Sequence, residues 1–273
     1  MPEAQEVTEM NFRHLLLEKE EGIATIKINR PHVMNALNLE TFQELRTAVE
    51  DVRQDTAVRV VVITGEGDKA FCAGRDLKEV EAYLSTGIED WEARMKGIAW
   101  NFAFIEKLEK PTIASINGYA LAGGCELALA CDIRIASQNA KFGLTEIEMS
   151  VFPGSGAAWL LPRIVGKSRA LELVLTGDHI DAREAERIGL VNRVVPQDKL
   201  NATVKELADK IASKATSAVT LAKAAISEAA EAPIESARAV AIALRALAET
   251  TQISSEERVK ALWASAKRRK QAD

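Results

Sequence analysis

Val58-Arg59-Val60-Val61-Val62-Ile63-Thr64-Gly65 is rich in β-branched side chains and closed by a glycine, the composition of a strand buried on both faces. Upstream, Ile23-Ala24-Thr25-Ile26-Lys27-Ile28 alternates with period two until Arg30-Pro31 breaks it. Between them Leu39 to Val52 reads as a helix, with Asn38 as its N-cap and Glu40 and Glu44 near its positive end. Strand, helix and buried strand in that order predict a right-handed crossover and a parallel sheet. Leu15-Leu16-Leu17 adds a further strand, joined to the second by a Lys/Glu/Gly turn.

The pattern continues downstream. Asp76 to Leu108 is helix-like with Gly87 interrupting it, and Pro111-Thr112-Ile113-Ala114-Ser115-Ile116 is a strand ended by the Asn117-Gly118 turn signal. A glycine turn, a helix from Glu126 to Ala130 and a strand at Ile133-Arg134-Ile135 follow, then helices over Ala157 to Leu175 and Ala182 to Ile188. No repeat of solenoid period is evident, so the reading is a layered α/β core over residues 1–200. From about Asn201 the chain turns alanine-rich and helical, over Ala202 to Ser213, Ser217 to Ala230 and Ile234 to Thr250. Helices with such small side chains have little core of their own, so residues 201–273 are expected to pack on the main domain or on another subunit.

A chain of 273 residues, 47% hydrophobic and 27% charged, is long and apolar enough for one large soluble domain with a smaller appendage. Its net charge of −5 argues against nucleic-acid binding, and its one basic cluster, Lys267-Arg268-Arg269-Lys270, sits at the C-terminus. Cys72, Cys125 and Cys131 form no CxxC and lack nearby histidines, which supports neither a disulfide framework nor a metal site. The start is acidic and polar, and no apolar run reaches the ~18 residues of a membrane span. A cytoplasmic protein without a membrane partner is the expectation.

What is missing removes whole reaction classes. His14, His32 and His179 are the only histidines, and none is placed for a Ser-His-Asp or Cys-His arrangement. Gly154-Ser155-Gly156 fails the G-x-S-x-G pattern because Pro153 stands where the first glycine belongs. Gly65-Glu66-Gly67-Asp68-Lys69-Ala70 lacks the third glycine and the following helix of a phosphate-binding turn.

Two glutamates remain. Glu126 closes Ala122-Gly123-Gly124-Cys125-Glu126, and Glu146 lies in Gly143-Leu144-Thr145-Glu146-Ile147. A carboxylate pair can move protons, and like-charge repulsion keeps one proton shared between close partners. Cys72-Ala73-Gly74-Arg75-Asp76-Leu77 and Leu121-Ala122-Gly123-Gly124 are small-residue turns ahead of helix starts, where N–H groups are left unpaired. Two such turns converging on one oxygen suit enolate chemistry better than attack by a side-chain nucleophile.

The stretch Ile116-Asn117-Gly118-Tyr119-Ala120-Leu121-Ala122-Gly123-Gly124-Cys125-Glu126-Leu127-Ala128-Leu129-Ala130-Cys131-Asp132 closely resembles the signature of the enoyl-CoA hydratase (crotonase) superfamily. So do Arg30-Pro31 with Asn35-Ala36-Leu37, the Cys72 to Leu77 loop, Phe142 to Gly154, and Leu175-Thr176-Gly177-Asp178. The likeness is continuous from about Leu15 to Pro196. It implies an α/β spiral of ββα units with an α-helical C-terminal trimerisation region, assembling as a homotrimer or homohexamer. It implies that the N–H groups of Arg75 and Gly123 hold a thioester oxygen, that Ala36, Ala73, Asp76 and Leu77 line the CoA channel, and that Glu126 and Glu146 share acid/base work. Gly154 matches the glycine whose N–H helps hold the reacting water. The implied activity is hydration of a 2-enoyl-CoA without a separate cofactor, CoA being the substrate's handle. Isomerisation, action on a cyclic substrate and a non-catalytic acyl-CoA- or RNA-binding role are the alternatives. Ala122 stands where a third glycine is common, Ala157-Ala158-Trp159-Leu160 replaces the usual residues after Gly156, Ser150 replaces a frequent glycine, and the tail at Glu256 to Trp263 departs from the commoner ending.

Overall fold

The computed structural model describes residues 11–85 and 101–250. The N-terminal start, the middle of the 76–108 stretch, the departures at 256–263 and the basic cluster at 267–270 lie outside the described residues.

Strands β1 (Leu15–Glu20) and β2 (Ile23–Ile28) form an antiparallel hairpin, with Leu15 opposite Ile28 and Glu20 opposite Ile23. Its turn residues Glu21 and Gly22 both have positive φ, 52° and 83°, as a two-residue turn matched to strand twist requires. Helix α1 (Leu39–Gln54) begins as expected at Asn38, whose Oδ1 accepts from Thr41 N at 2.9 Å. Its buried stripe of Phe42, Leu45, Ala48, Val49 and Val52 has the spacing of a single helical face. The chain then enters β3 (Val60–Gly65), which pairs with β2 in parallel.

From β3 the chain runs through β4 (Ala70–Cys72), α2 (Leu77–Leu84), α3 (Ala103–Glu106), β5 (Thr112–Ile116), β6 (Tyr119–Leu121), α4 (Gly123–Ala130), β7 (Ile133–Ser137) and β8 (Lys141–Gly143). After a 3-10 turn at Thr145–Met149 come α5 (Ala157–Val165), α6 (Lys167–Thr176), β9 (Ile180–Asp181), α7 (Ala182–Arg187) and β10 (Arg193–Val195). From β3 to β8 successive strands alternate between two sheets. One has the order β1-β2-β3-β5-β7-β10, the other β4-β6-β8-β9. Each winding of the chain leaves one strand in each sheet, and β4, β6 and β8 run parallel and adjacent, so the segments that follow them emerge side by side. These three-residue strands are too short to show period two, which is why the sequence reads as turns there. Likewise the single helix expected over 157–175 is two, divided at Gly166, whose φ is +81°.

One face of the six-stranded sheet packs with α1 and α4 around Phe42, Phe71, Phe102 and Phe142. On the other, Ile23, Val60, Val62, Ile113 and Ile135 are covered by Leu200, Val204, Ala208 and Ala212 of α8 (Leu200–Ala212). Truncating one of these branched side chains to alanine typically costs about 2–5 kcal/mol, so α8 is part of the core. The first compact unit accordingly ends at Ser213, one helix beyond the boundary expected at 200. The second, Lys214–Asp273, contains α9 (Thr216–Glu231) and α10 (Ile234–Thr250). Among the described residues α9 buries no side chain and α10 buries only Ala237. No helix among the described residues is long and apolar enough to cross a membrane.

Candidate active site

The segments after β4 and β6 press against each other. Gly74 has φ +90°, and a Cβ on it would stand 2.9 Å from Ala122 Cβ, 3.0 Å from Leu121 O and 3.1 Å from Gly123 N. A Cβ on Gly124 would meet Cys72 O at 1.9 Å, so nothing larger than hydrogen fits between α4 and β4. This contact sets Gly74, the residue before Arg75, directly against the Gly123 backbone. Gly123 is the first residue of α4, where an N–H has no acceptor within its own helix. Ala122 holds the turn open at φ 48°, ψ −127°, a conformation glycine adopts at less cost, and donates to Gly143 O at 2.8 Å at the end of β8.

Backbone hydrogen bonds tie the 34–37 segment, which holds Ala36, to the 73–76 segment, which holds Ala73 and Asp76 and leads into Leu77. Ala73 N donates to Met34 O at 3.0 Å, Leu37 N to Gly74 O at 2.7 Å and Asp76 N to Leu37 O at 2.9 Å. Ala36 is buried, Ala73 and Asp76 are half-buried, and Leu77 is exposed. Arg30, read from the sequence as part of a strand break and of the family-like entry segment but given no role of its own, links Ala36 to Asp76: its guanidinium meets Asp76 Oδ2 at 2.8 Å and donates to Ala36 O. Burial opposes ionisation of Asp76, but the Arg30 hydrogen bond and charge hold its carboxyl below the usual range.

Glu126, on the first turn of α4, is 2% exposed. Its Oε1 accepts from Ser155 N at 2.7 Å and from Ala157 N at 3.0 Å. Ala157 opens α5, so the acid faces the positive end of that helix. Burial drives the Glu126 pKa up and these donors draw it back, leaving it raised. Gly156, at φ +157°, permits the approach: a Cβ there would lie 3.9 Å from Glu126 Cβ and 3.3 Å from Leu160 Cδ1.

Glu146 stands on the 3-10 turn after β8, with its Oε2 closed off from solvent and without a hydrogen-bond partner. Burial first, and then the charge of Glu126, push its pKa up to about 7. The buried Cys125 thiol is raised by burial and by the charges of Glu146 and Glu126, so it is no nucleophile. Gly154 lies exposed on the loop that supplies the donors to Glu126. Behind Glu146, a Cβ on Gly177 would lie 3.0 Å from Ile147 Cγ2, so the 176–179 turn backs the 3-10 turn. Among the described residues no group of three His, Cys, Asp or Glu side chains could hold a metal ion.

A family model described as enoyl-CoA hydratase/isomerase matches residues 18–271. The chain belongs to the enoyl-CoA hydratase/isomerase family. It is 45% identical over 247 residues, 90% of this chain and 94% of the relative, to a crotonyl-CoA hydratase of Syntrophomonas wolfei subsp. wolfei. With a short-chain-enoyl-CoA hydratase of Clostridium acetobutylicum it shares 44% identity over 232 residues, 84% of this chain and 87% of the relative. The crystal structure of an enoyl-CoA hydratase from Bacillus anthracis superposes with a TM-score of 0.84 at 37% identity, covering 94% of this chain and 97% of that one. The alternation of strands between two sheets, with helices at the C-terminus, is thus the crotonase fold of this enoyl-CoA hydratase/isomerase family. Sequence reading of this family member named both glutamates and both turns as candidates, and missed Ser155 and Ala157 as donors to Glu126.

Proposed function

We propose that this chain is an enoyl-CoA hydratase, adding water reversibly and syn across a 2-enoyl-CoA to give a 3-hydroxyacyl-CoA. One observation carries the reading: two carboxyl groups close enough for their charges to interact, Glu126 buried and Glu146 half-buried, of which only Glu126 accepts hydrogen bonds from a helix-opening loop. The N–H donors favour the Glu126 anion, which suits it to accept a proton, while burial and then the Glu126 charge favour the protonated form of Glu146.

The reaction follows from that asymmetry. The Arg75 and Gly123 N–H groups hold the thioester oxygen, each lowering the barrier by roughly 3 kcal/mol as charge collects there. Glu126 takes a proton from water as the water oxygen bonds the β-carbon, and the π electrons move to the thioester oxygen. As the carbonyl re-forms, Glu146 gives its proton to the α-carbon. The sum is one water added, with the shared proton moved from one carboxyl to the other and restored by exchange. The addition is redox-neutral, so CoA enters as the substrate's handle, along Ala36, Ala73, Asp76 and Leu77, and the chemistry requires no separate cofactor. Gly154 N–H helps hold the water.

Incubation with crotonyl-CoA, followed by loss of the conjugated thioester's ultraviolet absorbance, tests the assignment. Steady consumption with formation of 3-hydroxybutyryl-CoA is expected. Tight binding of the ester without turnover, or movement of a double bond in a 3-enoyl-CoA with no hydration, would replace it with a binding or an isomerase role.

A further inference from the structure

We propose that Arg30 is a positioning residue for the oxyanion site: its buried guanidinium orients and polarises the Arg75 N–H along a chain of two peptide groups. This rests on the reading above, in which that N–H holds the thioester oxygen. Arg30 Nη1 donates to Ala36 O. The same peptide group carries the Leu37 N–H, which donates to Gly74 O at 2.7 Å. Gly74 O in turn shares its peptide group with the Arg75 N–H. No peptide bond among the described residues is cis, so in each group C=O and N–H point in opposite directions. Guanidinium, 36–37 peptide and 74–75 peptide are therefore aligned head to tail, and the Arg75 N–H is directed away from the 34–37 segment.

A cation at the head of such a chain strengthens each bond beyond it, because every polarised carbonyl leaves its own N–H more positive. Burial makes the effect count: the Arg30 side chain is 9% exposed, and a low dielectric screens its charge weakly. Asp76 Oδ2 offsets part of that charge, but it meets Nη2 at 2.8 Å, while Nη1 faces the peptide chain. Nor is the guanidinium needed to close the 30–37 turn. Val33 N and Asn35 N donate to Arg30 O at 3.1 and 2.9 Å, Ala36 N donates to Val33 O at 3.1 Å, and Asn35 Oδ1 accepts from Arg30 N at 3.0 Å. The two N–H groups of the oxyanion site thus differ in what stands behind them. Gly123 opens α4 and has that helix's dipole, whereas Arg75 precedes α2 and draws on Arg30.

Infrared spectra of butyryl-CoA, labelled with 13C at its thioester carbonyl, read the polarisation directly, since a saturated thioester binds without being hydrated. The labelled carbonyl stretch should fall in frequency on binding the wild-type protein. Arg30→Gln keeps a neutral donor for Ala36 O and removes the charge. In that variant the fall should shrink and kcat for crotonyl-CoA should drop about tenfold, with KM changed less than about twofold, and Arg30→Lys, which restores a cation, should recover part of both. A carbonyl frequency and kcat unmoved by Arg30→Gln, or a raised KM at unchanged kcat, would overturn the proposal. Where Arg30→Gln does not fold, Asp76→Asn decides: it leaves an oxygen for the guanidinium and takes away the opposing charge, so the fall should deepen, and an equal or smaller fall would overturn the proposal. If the wild-type protein fails to hydrate crotonyl-CoA, the hydratase assignment falls, while the butyryl-CoA carbonyl still shows whether Arg30 polarises the bound thioester.

Discussion

Glu126 and Glu146 are the same side chain put to opposite uses, and substitution should separate them. Glu126→Gln leaves an oxygen for the Ser155 and Ala157 N–H groups, so the fold should persist while kcat drops about 10²–10⁴-fold; Glu146→Gln removes the proton donor and should cost a similar factor. Crotonyl-CoA kinetics on both variants would check this, and loss of less than tenfold at either position would exclude it from proton transfer. The raised Glu146 carboxyl also predicts a pH dependence of stability. Its ordinary value is 4.5 and its folded value about 7, so between these pH values the folded chain binds more protons than the unfolded one and stability falls as pH rises. Glu146→Gln cannot ionise and escapes that loss. Its Tm should exceed the wild type's by about 2–5 °C at pH 8 and match it near pH 4, measured by scanning calorimetry.

Helix α4 and strand β4 are held at a separation that only glycine allows, and the Gly74–Ala122 contact gives a way to probe it. Gly74→Ala should destabilise by about 2–3 kcal/mol, since it places a side chain at φ +90° and within 2.9 Å of the Ala122 methyl. Ala122→Gly removes that methyl and the strain at φ 48°, so the double variant should recover part of the loss and of kcat, whereas additive effects in a double-mutant cycle would show the turns to be independent. These elements also show what a sequence displays. The Glu126 turn is legible because glycines, small residues and the acid fall within five positions, and the β3 strand because its β-branched run leaves one reading. Ser155 and Ala157 are not legible as partners of Glu126, because they lie 29 and 31 residues downstream and nothing local marks a backbone N–H as aimed at a distant carboxyl. The short strands β4, β6 and β8 escape notice for a different reason: their extended conformation is set by pairing across the sheet, not by their own composition.

The second compact unit carries a surface that a solitary chain has little use for. Ile226, Ile234, Ile242 and Leu247 are 72%, 72%, 64% and 48% exposed, on helices with almost no buried side chain of their own. We expect a homotrimer or homohexamer in sedimentation velocity, and expect Ile242→Glu or Ile234→Lys to shift it toward monomer and lower Tm; an unchanged mass would remove these helices from the interface. The parallel run of β4, β6 and β8 has a further consequence. Three separate windings of the chain open onto a common rim, and what they deliver there is main-chain N–H groups and two acids, placed by counting residues from the last rung of each ladder. Lengthening the loops at the opposite rim leaves that count intact, but deleting one position from a three-residue rung turns everything beyond it to the wrong side. Variation in chain length can therefore collect on one edge of this molecule, while the other must keep its arithmetic.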